Sequence, residues 1–212
     1  MEYHCPTCGA PLQFQSRVSV YTTCGHCGSM VVRHDMELEN LGKVSELLKD
    51  MTPFMPGTTG LYGGKHFTLA GRIKVLYPKG TWSEWWALFD DGSEGWLAEA
   101  QGFYMMSFLD SDPAPWNRVS DLGGLGGRVE IKGESFQIDD IKNVKYAGSE
   151  GELPFVFQRN LQGTSVDLRG PRGKFASVFF GDGSTKLYLG EYVPFEKFQF
   201  QHLRELDGWS VE

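Results

Sequence analysis

The chain is expected to fold mainly as β structure, and three observations predict it. Its 27 glycines and 14% aromatic residues favour short strands joined by tight turns over long helices. The stretch Thr81–Phe89 alternates at the period of two that a strand requires. All four cysteines fall in two C-x2-C knuckles close to the start, the spacing of a metal ribbon that is itself a small β unit. The expected order is a zinc ribbon over residues 1–35, then one short amphipathic helix and a linker over 36–56. A first β module over 57–115 follows, and a second with an insertion over 123–212, the two being similar small barrels or rolls packed together.

The ribbon rests on Cys5-Pro6-Thr7-Cys8-Gly9 and Cys24-Gly25-His26-Cys27-Gly28. Four thiolates close a tetrahedral site for one structural Zn2+, with no position left for water or substrate, so the ion contributes folding free energy and no catalysis. The glycine after each second cysteine lets the backbone turn so that its amides face the sulfurs. The competing reading, two disulfides in a secreted domain, lacks further cysteines and a signal peptide, so a cytoplasmic location is expected. Ala10 to Tyr21 and Ser29 to His34 read as the ribbon's strands.

Leu38, Leu41, Val44, Leu47 and Leu48 recur at helical spacing, which predicts the helix across Met36 to Lys49, ended by Pro53 and Pro56. Beyond a linker over 51–60, two stretches read as distant copies of one module. Phe67-Thr68-Leu69-Ala70-Gly71-Arg72-Ile73 matches Phe136-Gln137-Ile138-Asp139-Asp140-Ile141. Leu88-Phe89-Asp90-Asp91-Gly92-Ser93 matches Phe179-Phe180-Gly181-Asp182-Gly183-Ser184. The longer spacing in the second copy places an insertion around Gly148 to Gly173. The cluster Gly123 to Gly127 lacks the Lys-Ser or Lys-Thr of a phosphate loop and reads as connector.

The first module carries the candidate binding residues. In a strand over 81–89, Trp82, Glu84, Trp86 and Leu88 share one face and Ser83, Trp85, Ala87 and Phe89 the other. Trp96 arrives from the hairpin partner, so Glu84 sits within an aromatic wall. Such a wall either fills a barrel core, with Glu84 accepting a hydrogen bond at its rim, or binds an amine or a Lys/Arg side chain. No apolar run is long enough to span a membrane. A formal charge of −7, and a ribbon whose permanent cations are Arg17 and Arg33, oppose nucleic-acid binding. No hydrolase or metalloprotease motif occurs, and Glu84, His66 and Asp91 are the residues an uncharacterised enzyme would recruit.

The C-P-x-C-G ribbon, Trp82-Ser83-Glu84-Trp85, Asp91-Gly92-Ser93-Glu94-Gly95-Trp96-Leu97 and Gly151-Glu152-Leu153-Pro154 together resemble a bacterial family of unknown function, numbered 4178. The resemblance extends to Tyr188-Leu189-Gly190-Glu191 and the tail Phe200 to Leu206. It carries no catalytic residues. It implies a setting beside envelope-stress and small membrane proteins and relatives of polyamine-synthesis enzymes. The expected function is therefore a non-catalytic adaptor with protein partners, associated with a membrane through them. Binding of an amine or cationic peptide by Trp82, Glu84, Trp86 and Trp96 is the alternative, and an enzyme the second alternative.

Overall fold

A computed structural model describes residues 3–34, 37–43, 51–181 and 183–205. These residues are mainly β, with three short 3-10 turns at Val119–Asp121, Pro171–Gly173 and Phe195–Phe198. The ribbon holds β1 (Tyr3–His4), β2 (Pro11–Leu12), β3 (Tyr21–Thr23) and β4 (Ser29–His34), followed by β5 (Glu37–Lys43). A first meander comprises β6 (Thr59–Tyr62), β7 (Lys65–Tyr77), β8 (Gly80–Phe89), β9 (Glu94–Ala100) and β10 (Phe103–Leu109). A second comprises β11 (Arg128–Ile131), β12 (Glu134–Leu153), β13 (Gln162–Arg169), β14 (Lys174–Gly181) and β15 (Ser184–Tyr192).

The two meanders join at both edges. β7 pairs antiparallel with β12 and β10 with β15, so that β7, β8, β9, β10, β15, β14, β13 and β12 close into one eight-stranded barrel. Each stretch read as a separate roll thus forms half of a single barrel. Closure abolishes free edges between the halves, which is the economical solution for antiparallel strands of this length. Both seams need a glycine. A Cβ on Gly71 would lie 2.1 Å from the Glu152 carbonyl oxygen, and one on Gly190 would lie 1.9 Å from that of Met106.

The halves share more than strand count. Phe67-Thr68-Leu69 and Phe136-Gln137-Ile138 occupy the same place in β7 and β12, and each is followed by a bulge, between Leu69 and Gly71 and between Ile138 and Asp140. A bulge switches which residues face inward, so Leu69 and Ile138 pack outside while Ile73 and Lys142 face the barrel interior. The second sequence match behaves differently. Asp91-Gly92 turns β8 into β9, whereas Gly183 lies between β14 and β15, whose counterpart in the first meander is the β9–β10 turn. The extra length assigned to an insertion around 148–173 is the end of β12, a connection over 154–161 and all of β13.

Each meander's outer face is covered by the segment that trails the other. Phe198 packs with Phe67, Leu69 and Trp85 of the first meander, together with Phe54 from the expected linker. Trp116 and Leu122 of the connector pack with Ile138, Val166 and Leu187 of the second. The ribbon closes one barrel end. Tyr21 and Val32 pack with Trp86, Leu153 and Phe157, and β3 extends the sheet by pairing with the end of β12. The buried Glu152 carboxylate accepts from the Gln15 N–H at 2.8 Å and from the Ser19 hydroxyl, and the Tyr21 hydroxyl lies 2.9 Å from that of Ser149. This junction is polar and satisfied, as buried polar groups must be.

Two expected elements differ. Ala10 to Tyr21 is not one strand: Pro11–Leu12 pairs with β1 and Tyr21–Thr23 with β4, around a turn at Arg17 and Val18. Glu37–Lys43, expected as the start of the helix, is a strand paired along β4. There Leu38 packs against the cysteine cluster, and Asn40 donates to the Thr7 hydroxyl at 2.7 Å. The ladder and this packing outweigh a helical pattern resting on Leu38 and Leu41. The rest of the expected helix, residues 36 and 44–49, lies outside the described residues.

Candidate functional site: a thiol cluster and an interior cavity

The ribbon brings Cys5, Cys8, Cys24 and Cys27 together, with all four sulfurs within 4.8 Å of one another. Gly9 and Gly28 adopt positive φ of 72° and 69°, and each donates its N–H back to the first cysteine carbonyl of its knuckle at 2.9 Å. Cys5 and Cys27 Sγ lie 3.7 Å apart and Cys8 and Cys24 Sγ 3.9 Å. A disulfide needs about 2.05 Å, whereas the edge of a tetrahedron with ligand bonds of about 2.3 Å is about 3.8 Å. Ser29, through its hydroxyl and amide, holds the Cys27 thiol down to about 6. Cys8 is pushed up to about 12: the Ala10 amide pulls it down, but desolvation and the other three sulfurs outweigh it. Four thiolates at these distances repel unless a cation sits among them, so the cluster can hold a metal ion.

The second site is the barrel interior, a cavity of about 500 Å³. It reaches the surface beside the exposed Thr81, Gln101 and Phe103, and every barrel strand contributes to its lining. The first meander's wall is largely apolar, with Ile73, Val75, Trp82, Trp96 and Met105 around the single carboxylate of Glu84. The second wall is charged and hydroxylated, with Asp140, Lys142, Tyr146, Ser165, Asp167 and Tyr188.

Strand β8 divides as its alternation predicts. Trp82 and Glu84 face the cavity, Trp86 lies inside the barrel at the end packed against the ribbon, and Trp85 and Ala87 face outward under Phe54. Each tryptophan of the strand donates its indole N–H to a carboxylate: Trp82 to Glu84 at 2.7 Å, Trp85 to Glu99 and Trp86 to Glu94 at 3.1 Å. Large aromatic rings bury well only when the N–H finds such a partner. Of the four residues singled out in the sequence, Trp82, Glu84 and Trp96 line the cavity, while Trp86 is fully buried in the packed end and does not. His66 and Asp91 are exposed on the outside, where Asp91 pairs with Lys65 at 2.6 Å, so neither converges with Glu84.

Glu84 lies deep in the barrel, and the part of it that is not packed faces the cavity. Burial pushes its carboxyl up to about 7; the Trp82 N–H works the other way and the charge of Asp167 adds to the rise. Among the described residues no cation pairs with it. Asp167 is also raised, by burial first, although Lys142 and the Ser177 hydroxyl, 3.2 Å away, oppose this. Burial pushes Tyr188 up to about 12 and raises Tyr146, and the Glu84 charge contributes to both. Most other charges in the cavity are paired; Lys186 instead places its ammonium 5.6 Å from the centre of the Phe155 ring. Lys142 bridges Asp140 and Asp167, the latter at 3.6 Å, and Arg169 meets Asp139 at 2.5 Å.

Lys142, Asp167, Tyr146 and Tyr188 were not found from the sequence. Their signal was present in the period-two spacing of Lys142, Val144 and Tyr146 and of Ser165, Asp167 and Arg169, but the latter run lay in the stretch read as an insertion.

The family model described as a domain of unknown function (DUF4178) matches residues 55–195, which is the barrel with part of its outer cover. The chain belongs to the DUF4178 family. The match excludes the ribbon, so the cavity is the site that lies within the DUF4178 region. No curated protein and no solved structure matches the chain.

Proposed function

We propose that this DUF4178 protein acts by binding, and that its barrel takes a small organic cation, an amine or quaternary ammonium, into the interior cavity. The observation that carries the reading is Glu84: a carboxylate with no cationic partner among the described residues, held by one indole N–H on the aromatic wall of a cavity of about 500 Å³. A carboxylate in that setting costs stability when ionised. It is offset when a ligand supplies the missing positive charge and the faces of Trp82, Trp96 and the tyrosines supply cation–π attraction. The cavity volume falls in the range of small-molecule sites and leaves room for an apolar body attached to the cation.

Calorimetry at pH 8 with choline and with its uncharged isostere 3,3-dimethylbutan-1-ol tests this. Binding of choline alone, weakened at least about tenfold by Glu84→Gln, is expected from loss of a buried ion pair. Equal binding of the two compounds, or an unchanged affinity in Glu84→Gln, contradicts it.

For the thiol cluster we propose one structural Zn2+, supported by the closed set of four sulfurs and by their fixed attachment to the barrel end through Glu152 and Tyr21. Free thiols that are not bridged fit a reducing compartment such as the cytoplasm. An adaptor role in a membrane-associated assembly rests on the family resemblance. Among the described residues no helix is long and apolar enough to cross a membrane.

A further inference from the structure

The cavity lining already contains two ammonium groups, that of Lys186 beside Phe155 and that of Lys142 beside Trp82, and Lys142 shares the ring that holds Glu84. The Lys142 Nζ lies 5.5 Å from the centre of the Tyr77 ring and 5.8 Å from that of Trp82, both within cation–π range. The same nitrogen pairs with Asp140 and stands 3.6 Å from Asp167. Trp82 links the two acidic positions: its face receives the lysine, and its N–H holds Glu84. The lysine is two strand positions from Val144 and four from Tyr146, both cavity-lining, so β12 aims it inward, while Lys145 on the same strand faces out and is exposed.

We propose that Lys142 is a built-in occupant of the cation site, a tethered ammonium that an entering ligand must displace, and that it sets which cations the barrel accepts. This rests on the reading of the cavity as a cation site and identifies the residue that determines its specificity. Its two carboxylate partners make displacement feasible. Asp167 lies within the cavity with its side chain 29% exposed, and Asp140 is 47% exposed, so the lysine can give up Asp167 and keep Asp140 without becoming an unpaired buried charge. Displacement opposes binding, so a small cation such as choline binds, but weakly. A ligand whose apolar body also fills the cavity beside Val75, Trp96 and Met105 gains enough to move the lysine.

The test is calorimetry at pH 8 with benzyltrimethylammonium chloride on the whole chain and on Lys142→Met, Lys142→Arg and Lys145→Met. Lys142→Met is expected to bind about tenfold tighter than wild type, because the competitor and its ion pairs are gone. Lys142→Arg, which keeps a tethered cation, and Lys145→Met, which removes the same charge from the outer face, are expected to stay within about threefold. Wild-type binding with no gain in Lys142→Met overturns the Lys142 proposal alone. An equal gain in Lys145→Met overturns it too, since general electrostatics then suffice. No binding by wild type or any variant overturns the cation reading itself. Should Lys142→Met fold poorly, wild-type NMR serves: the Lys142 ε-CH2 signal, assigned through Lys142→Arg and shifted by the two rings, should move toward its solvent position as ligand saturates. A signal that stays in place overturns the proposal.

Discussion

The two walls of the barrel share a strand plan and differ in what they show to the cavity. The first meander presents aliphatic and aromatic side chains and one carboxylate, Glu84, whereas the second presents carboxylates, cations and hydroxyls that largely satisfy one another. Their outer faces show no such contrast, since both are apolar and covered by a trailing segment. The difference is therefore confined to the surface a ligand would touch. Packing requires the outer faces to be alike, and nothing in packing requires, on one inner wall, an acid that among the described residues meets an indole N–H and no cation. That asymmetry is what the proposed binding role rests on.

Joining the walls should be the most sensitive step. Gly190→Val places a side chain against the Met106 carbonyl at the β10–β15 seam, where backbone cannot yield. A loss of about 4 kcal/mol or more in urea-denaturation stability, or failure to fold, is expected. A loss under about 1 kcal/mol would mean that this edge is not closed as described.

Removing the unpaired acid should have the opposite sign. The folded-state carboxyl of Glu84 titrates near 7, above its ordinary 4.5, so the folded protein holds this proton more tightly than the unfolded chain does. Stability from this group is complete below about pH 4.5, falls as pH rises to 7 and is flat above. Glu84→Gln is expected to raise stability at pH 8 by up to about 3 kcal/mol and to flatten part of the pH slope. Asp167 and Glu152 shift in the same direction and keep the rest. Thermal melts at pH 5 and 8 check this, and a destabilised variant at pH 8 would show that Glu84 is structural. A variant that gains stability while losing cation affinity is the signature of a residue kept for function.

Removing the ion proposed for the ribbon is expected to act on the barrel at one end only. Tyr21 and Val32 lose their fixed position against Trp86, and a fall of ~5 °C in the barrel's Tm is expected in chelator. An unchanged Tm would separate the two regions. The smallest effect belongs to Lys65→Met, which breaks an exposed pair with Asp91 at a hairpin tip and should change stability by less than about 0.5 kcal/mol.

The parts legible in the sequence were those whose signal is local. Cysteine spacing gave the thiol cluster, and the alternation through Trp82–Phe89 assigned the inner and outer faces of β8 correctly. The bulge shared by β7 and β12 lies beside the one sequence match that proved equivalent in the two meanders. Closure of the barrel had no local signal, because it depends on pairings such as Arg72 with Glu150 and Ser107 with Gly190 between distant strands. The Asp-Gly-Ser turns were misleading for the same reason that they recur: any tight hairpin tolerates them, so they mark a turn without saying which one. Leu38 and Leu41 fit a helix as well as a strand, and the neighbouring β4 decided the outcome.

The central claim is that Glu84 awaits a positive charge inside the barrel. Carbon-13 NMR titration of its side-chain carboxyl, without and with benzyltrimethylammonium, tests that claim directly. The expected midpoint is about 7 in the free protein, moving below about 6 in the complex, because a cation bound beside the carboxylate favours its ionised form. A midpoint near 4.5 in the free protein, or one that the cation leaves unmoved, would contradict the account.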